Sequence, residues 1–293
     1  MMMIEVAPAK INLALHVRRR RPDGYHELET LFAFARDGDM VSMVPAERWS
    51  LTVTGPYGGD LLSSVSPLAA GTRTLGTRAF AEEADLVQRA TNRFTAIFPE
   101  TPPQAITLDK RLPIASGIGG GSADAAATLR ALARIVDVSL DDPRLTAIAR
   151  PLGADVPACL LGRTSFGSGV GEELAPIDGV SNMPLLLVNP GVAVSTASVF
   201  RAWDGIDRGP IHDGALLDRA RAGRNDLAPP ARALAPVIGE VEAMLADQRG
   251  VMLSRMSGSG ATCFALFKDQ AACDEAAARA RARGWWAMAS CLA

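Results

Sequence analysis

The chain has few of the residues on which redox, metal and hydrolytic chemistry usually rests. It carries four cysteines and three histidines in 293 residues. Cys159, Cys263, Cys273 and Cys291 form no C-x-x-C pair, which reads as buried free thiols in a reducing compartment and not as a disulfide framework. His16, His26 and His212 are not spaced as metal ligands, and neither H-E-x-x-H nor G-x-S-x-G occurs, so hydrolases built on those motifs are excluded. Aromatic residues are 5% of the chain, too few for a platform of many stacked bases. No apolar run approaches the ~18 residues of a membrane span; one of the longest is Pro184 to Val188. Met1 to Lys10 lacks a basic segment followed by an apolar one, so it does not read as a signal peptide. Neither sign of charge dominates: 30 Lys and Arg face 32 Asp and Glu, for a net charge of −2. That argues against a polyanion-binding surface over the whole protein and leaves room for a local anion site. The expectation is a cytoplasmic protein without membrane or nucleic-acid partners, a monomer or weak homodimer.

What is present is the make-up of a globular chain, 48% hydrophobic and 21% charged. At roughly 150 residues per domain its length suggests two domains. Strands are expected in Glu5 to Val17, Leu28 to Phe34 and Asp39 to Val44, with Arg36-Asp37-Gly38 as a break between the last two. Further strands are expected at Leu51 to Thr54, Gln104 to Asp109, Cys159 to Phe166, Leu185 to Val188, Cys263 to Phe267 and Trp285 to Cys291. Apolar residues at helical spacing predict helices over Glu82 to Phe98, Ser122 to Val136, Pro143 to Arg150, Leu234 to Ala246 and Ala271 to Arg283. Leu61 to Thr77 is polar and marked by Gly and Pro, and reads as a surface loop. Helices and strands mix without strict alternation, which favours an α+β fold. The Gly/Ser-rich stretch Gly162 to Gly171 is the expected seam.

The strongest local signal is Gly117-Ile118-Gly119-Gly120-Gly121-Ser122-Ala123-Asp124. Glycines let successive backbone N–H groups turn to one point, and the following helix, which Ser122 is expected to cap, adds its positive end; together they can cradle an anion. No G-K-[ST] closes the run, so it is not a Walker A loop, and Ser122 stands where G-x-G-x-x-G has its last glycine. A second turn, Ser257-Gly258-Ser259-Gly260, serves equally well as a hairpin turn or a ligand loop. Lys10 and Asp155 lie in otherwise apolar segments, where a charge is costly unless it is paired or used. Gly24-Tyr25-His26 follows the run Arg18 to Arg21, whose default reading is a solvated face.

Taken together these residues resemble one family. Leu112 to Ala123 is similar to the phosphate-binding motif of the superfamily of galactokinase, homoserine kinase, mevalonate kinase and phosphomevalonate kinase, and Ser257 to Thr262 resembles its C-terminal glycine motif. Within it, Pro8 to Leu13, Arg21 to Leu28, Gly153 to Pro157, Gly169 to Glu172 and Asn189 to Gly191 resemble the branch of the 4-diphosphocytidyl-2-C-methyl-D-erythritol kinases, in order along nearly the whole chain. The resemblance implies two α+β lobes, residues 1–163 and 164–293, the first like the second domain of ribosomal protein S5, with the site between them. It implies transfer of the γ-phosphoryl group of ATP, with Mg²⁺, to the 2-hydroxyl of 4-diphosphocytidyl-2-C-methyl-D-erythritol in non-mevalonate isoprenoid synthesis. Lys10 and Asp155 would be the catalytic pair. Lys110, Pro113, Ile114, Ala115, Ser116, Gly117, Ile118, Gly119, Gly120, Gly121, Ser122 and Ala123 would bind ATP, with Ser122 the candidate metal contact. Asp85 stands near the nucleotide base where the family usually has Asn, and Leu61 to Glu83 is longer than usual. Asn12, Tyr25, His26 and Phe200 would bind the acceptor. The alternatives are another kinase of the superfamily with a different acceptor, or a non-catalytic RNA-binding protein.

Overall fold

A computed structural model describes residues 1–59, 73–74 and 86–293. Asp85, residues 82–84 of the expected helix and nearly all of the expected loop at 61–77 lie outside these residues. By contacts the chain divides into two compact units. The first comprises Met1–Ala9, Asp37–Ile114 and Gly120–Leu161; the second comprises Lys10–Arg36, Ala115–Gly119 and Gly162–Ala293. Two long strands, β1 (Met3–Arg20) and β2 (His26–Pro45), belong in part to each.

In the first unit, β5 (Gln104–Asp109) pairs antiparallel with the end of β2, Met40 opposite Asp109, and parallel with β3 (Ser50–Thr54), which pairs in turn with β4 (Arg73–Thr74). Ile106 and Leu108 of β5 and Val41 and Met43 of β2 are buried at alternate positions, the period of a sheet with one covered face. The helices of this unit are α1 (Leu86–Ile97), α2 (Gly120–Ile135), α3 (Pro143–Ala149) and α4 (Val156–Leu161). Helix α2 buries six alanines together with Leu129 and Leu132. Alanine is the strongest helix former and its small side chain allows close approach. Val87, Ala90 and Phe94 form the buried stripe of α1, which packs on α2.

In the second unit the first half of β2 pairs with β6 (Ser165–Ser168), which pairs with β7 (Glu173–Pro176). A separate four-stranded antiparallel sheet has the order β11–β8–β10–β9, made of β8 (Pro184–Asn189), β9 (Val251–Met256), β10 (Cys263–Phe267) and β11 (Trp286–Cys291). Of its central strands, β10 is buried throughout and β8 from Leu185 to Asn189. Around it lie α5 (Thr196–Arg201), α6 (Leu216–Ala222), α7 (Ala228–Leu234), α8 (Val237–Ala246) and α9 (Gln270–Ala282). Ile238, Val241 and Leu245 of α8 and Ala272, Cys273, Ala276, Ala277 and Ala280 of α9 join the same core.

Several expectations are corrected. The strand β2 runs unbroken through Arg36-Asp37-Gly38. Gly38 is there for space and not for a turn: a Cβ would collide with the Ala7 carbonyl of β1. Cys159 to Leu161 is helical, not a strand; a short apolar run does not distinguish the two, and Pro157 sits in the first turn of a helix, where Pro is tolerated. The expected helix from Leu234 is two helices, parted at Ala235-Pro236. Ser122 does not cap α2, because Gly120 is already helical; the residue before it, Gly119, has φ +65° and makes the turn. All four cysteines are free, three of them buried. No helix among the described residues is long and apolar enough to cross a membrane.

Candidate active site

The glycine-rich loop leaves β5 at Lys110 and ends at α2. In the second unit its middle, Ala115 to Gly119, is knitted to β1 and to the β9–β10 turn. The Lys10 N–H donates to the Ile118 carbonyl at 2.9 Å, and the Thr262 N–H donates to the Ser116 carbonyl at 3.1 Å. Ser257 Oγ donates to the Gly117 carbonyl and accepts the Asn12 N–H, both at 3.1 Å. Gly117 has φ +77°, and a Cβ on it would lie 2.6 Å from the Ser257 carbonyl oxygen. No other residue fits there. The Ser257 to Gly260 segment is thus a hairpin turn, joining Met256 to Cys263, and a brace for the glycine loop at once. Ser257 braces the loop, a role that its place in the motif Ser257 to Gly260 did not reveal.

Lys10 is buried, 3% exposed, yet it is not stranded. Its ammonium donates to Asn12 Oδ1 at 3.0 Å and lies 5.2 Å from the centre of the Phe32 ring. Asn12 Nδ2 donates to Thr30 Oγ1 at 2.7 Å, and Thr30 Oγ1 donates to the Ala14 carbonyl at 2.8 Å. Both ends of the Asn12 amide are therefore occupied. Asn12, expected to touch the acceptor, is 2% exposed, and its Oδ1 accepts the Lys10 ammonium. A Cβ on Gly119 would lie 3.2 Å from Lys10 Cε, so the lysine stem passes directly by the loop.

In the first unit Lys110, expected among the ATP contacts, is 3% exposed and committed to two carboxylates. Its ammonium pairs with Asp39 Oδ2 and, at 2.8 Å, with Asp124 Oδ2. Burial alone would lower the lysine pKa, but the charges of Asp124 and Asp39 outweigh burial and raise it. Asp39 Oδ1 also accepts the N–H of Leu112 at 2.8 Å. Lys110 therefore holds the loop's root and α2 together from beneath. Ala115 has φ +51°, a strained value for a residue with a Cβ. Pro113, Ile118 and Ala123 are buried, while Ile114, Gly119, Gly120, Gly121 and Ser122 are partly exposed. Asp155 is partly exposed and directly precedes α4, with its carbonyl accepting the Cys159 N–H at 3.0 Å.

A third group lies in the second unit, where Arg21 to Tyr25 turns β1 into β2: the Arg21 N–H donates to the Tyr25 carbonyl at 2.7 Å. Tyr25 is 62% exposed and His26 only 9%. The His26 ring lies 4.9 Å from Phe200 at a tilt of 35° and 5.7 Å from Trp203, edge to face. The structure thus brings His26 and Phe200 together and adds Trp203, which sequence reasoning missed. Phe200 also packs against the core of this unit. Burial, and then the nearby Arg20 charge, lower the His26 pKa below 6.5, so the ring is neutral near pH 7.

Comparison with known proteins shows the family of the chain. The family model for the N-terminal domain of the GHMP kinases matches residues 85–163, and that for their C-terminal domain matches residues 210–284. A 4-diphosphocytidyl-2-C-methyl-D-erythritol kinase of Rhizorhabdus wittichii is 52% identical, covering 98% of this chain and 94% of that protein. The enzyme of the same name from Methylorubrum extorquens is 45% identical, covering 98% of each. A crystal structure of a 4-(cytidine 5'-diphospho)-2C-methyl-D-erythritol kinase superposes with a TM-score of 0.77 at 36% identity, over 99% of both chains. The chain belongs to the GHMP kinases, and within them to the family of the 4-diphosphocytidyl-2-C-methyl-D-erythritol kinases.

Proposed function

We propose that this chain transfers the γ-phosphoryl group of ATP to the 2-hydroxyl of 4-diphosphocytidyl-2-C-methyl-D-erythritol. The observation that carries the reading is the brace between the loop Ala115 to Gly119, Lys10 and the Ser257 to Gly260 turn. Within the second unit it ties the glycine loop, the buried Lys10 cation and the Ser257 turn together. Phosphoryl transfer requires chiefly positioning and charge stabilisation, and these groups supply both.

In this reading the backbone N–H groups of Gly119 to Ser122 and the start of α2 hold the β- and γ-phosphates. The acceptor oxygen attacks phosphorus, the bond from phosphorus to the bridging oxygen of ADP breaks, and the hydroxyl proton passes to the Asp155 carboxylate. Lys10 stabilises the negative charge that grows on the attacking oxygen. Mg²⁺ would offset the phosphate charge. The described residues contain no group of three or more His, Cys, Asp or Glu that could hold a metal. The partly exposed Ser122 hydroxyl would be the protein contact of the ion. At the far end of the acceptor, Tyr25 and Phe200 enclose the cytosine and His26 bonds its polar edge.

The test is a phosphorylation assay with ATP and 4-diphosphocytidyl-2-C-methyl-D-erythritol, set beside 2-C-methyl-D-erythritol 4-phosphate, homoserine and mevalonate. Turnover confined to the cytidyl compound is expected. Preferential turnover of another acceptor would replace this reading with that of a different kinase of the superfamily.

A further inference from the structure

Of four consecutive arginines, Arg18 to Arg20 end β1 and Arg21 follows it. Three of them face carboxylates: Arg18 pairs with Glu29 and Asp207, Arg19 with Glu27, and Arg21 with Asp23. Arg20 has a different partner. Its Nε–H donates to Nε2 of His26 at 3.4 Å. An arginine in a protein never gives up its proton, so this bond has only one direction. The Nε2 atom must carry a lone pair, and the neutral ring must carry its hydrogen on Nδ1. Phe200 and Trp203 fix the plane of that ring, which leaves the tautomer as its main freedom. Nδ1 has no hydrogen-bond partner among the described residues, although His26 is more than nine-tenths buried.

We infer that Arg20 is a specificity-positioning residue, which holds His26 in the Nδ1–H form so that the ring donates a hydrogen bond to a pyrimidine whose N3 accepts one. The inference rests on the proposed reading in which His26 meets the cytosine. Cytosine N3 carries a lone pair, whereas uracil N3 carries a hydrogen. A donor at Nδ1 matches the first and opposes the second. The opposite tautomer would present a lone pair at Nδ1, which suits uracil N3–H and loses the contrast. Discrimination between the two pyrimidines then depends on a guanidinium that touches neither.

Two readouts test this on the full-length chain. The first is ring ¹⁵N NMR of histidine-labelled protein, with the His26 signals identified by their loss in His26→Gln. Wild type should show Nδ1 protonated and Nε2 bare, Arg20→Met should move the ring toward the Nε2–H form, and Arg20→Lys should keep part of the Nδ1–H population. The second is kcat/KM for the cytidyl acceptor against its uridyl analogue. Arg20→Met should reduce that ratio by roughly 2- to 12-fold, the worth of one net hydrogen bond. The change should fall on the acceptor KM and not on the KM for ATP. A wild-type ring protonated at Nε2, or an Arg20→Met protein with unchanged tautomer and ratio, overturns the inference. Equal use of both acceptors by wild type overturns the cytosine reading and the specificity role with it, while the NMR result reports the Arg20–His26 link independently.

Discussion

Asp155 and Lys10 are read as acting on one hydroxyl, and that has a kinetic consequence. Asp155→Asn keeps the shape of the side chain and removes the base, so kcat should fall by ~10²–10⁴ with little change in KM. Lys10→Ala should also lower kcat. If the two act as a unit, the double variant loses far less than the product of the single losses; steady-state rates on all four proteins measure this, and fully multiplicative losses count against the pairing. The glycines of the loop separate in a way that their sequence does not reveal. Gly119, at φ +65°, lies against the Lys10 stem. Gly119→Ala should therefore cost about 1–2 kcal/mol in backbone strain, raise the KM for ATP and lower kcat together. Gly120 lies over a different group, since its Cβ would fall 3.0 Å from Lys110 Nζ and 3.6 Å from Asp39 Oδ2. Gly120→Val should show first as lost stability. Thermal unfolding beside kinetics distinguishes the two, and a Gly119→Ala enzyme with unaltered kcat and ATP KM argues against the loop as the phosphate cradle.

Between elements, the Asp39–Lys110–Asp124 cluster matters most in the first unit. It joins β2, the root of the glycine loop and the first turns of α2. Lys110→Met would leave two buried carboxylates without their cation, a change that typically costs about 3–5 kcal/mol. Removing Arg208 from its exposed pair with Asp204, four residues apart on the surface, should cost far less, because solvent screens the pair. Urea unfolding of Lys110→Met and Arg208→Met measures that contrast, and similar midpoints would show that the buried cluster contributes little. Local pattern made much of this architecture legible. The strands at Leu51, Gln104, Leu185 and Cys263 and the helices at Pro143 and Gln270 stand within a residue or two of where alternation, caps and periodicity put them. Distant partners hid the rest. Gly38 reads as a turn until the Ala7 carbonyl is seen against it. The pairing of Lys110 stays hidden until two acids, 71 and 14 residues away, are found around it. Arg20 reads as one more solvated charge because nothing local sets it apart from its three neighbours. The loop itself was plain, since glycines needed for positive φ are a local requirement, whereas the Ser257 and Asn12 contacts that brace it span up to 245 residues.

For the molecule as a whole, the buried histidine His16 links stability to pH. It is 1% exposed on β1. Its Nδ1 lies 3.0 Å from the Gly209 carbonyl oxygen, and its Nε2 lies 3.1 Å from the backbone nitrogen of Arg224. A carbonyl only accepts and a backbone N–H only donates, so the ring must be neutral, with its hydrogen on Nδ1. A second proton would face the Arg224 N–H and stand near its guanidinium. Burial first, and then the Arg224 charge, lower the pKa below the ordinary 6.5, against the opposing pull of the Gly209 carbonyl, Asp226 and Glu29. The folded chain thus favours the unprotonated ring, while the unfolded chain takes up a proton once the pH falls below about 6.5. The stability from this group is fully present above pH 6.5 and is lost as the pH falls through the lower folded value. His16→Gln can still donate and accept a hydrogen bond but does not titrate. At fixed ionic strength, the Tm advantage of wild type over His16→Gln should be largest at pH 7.5 and shrink steadily toward pH 5. His26 titrates in both proteins and cancels from the difference. Parallel Tm curves over that range would mean that the His16 ring keeps its ordinary pKa on folding, and the bond to Arg224 would then not be the constraint that its geometry indicates.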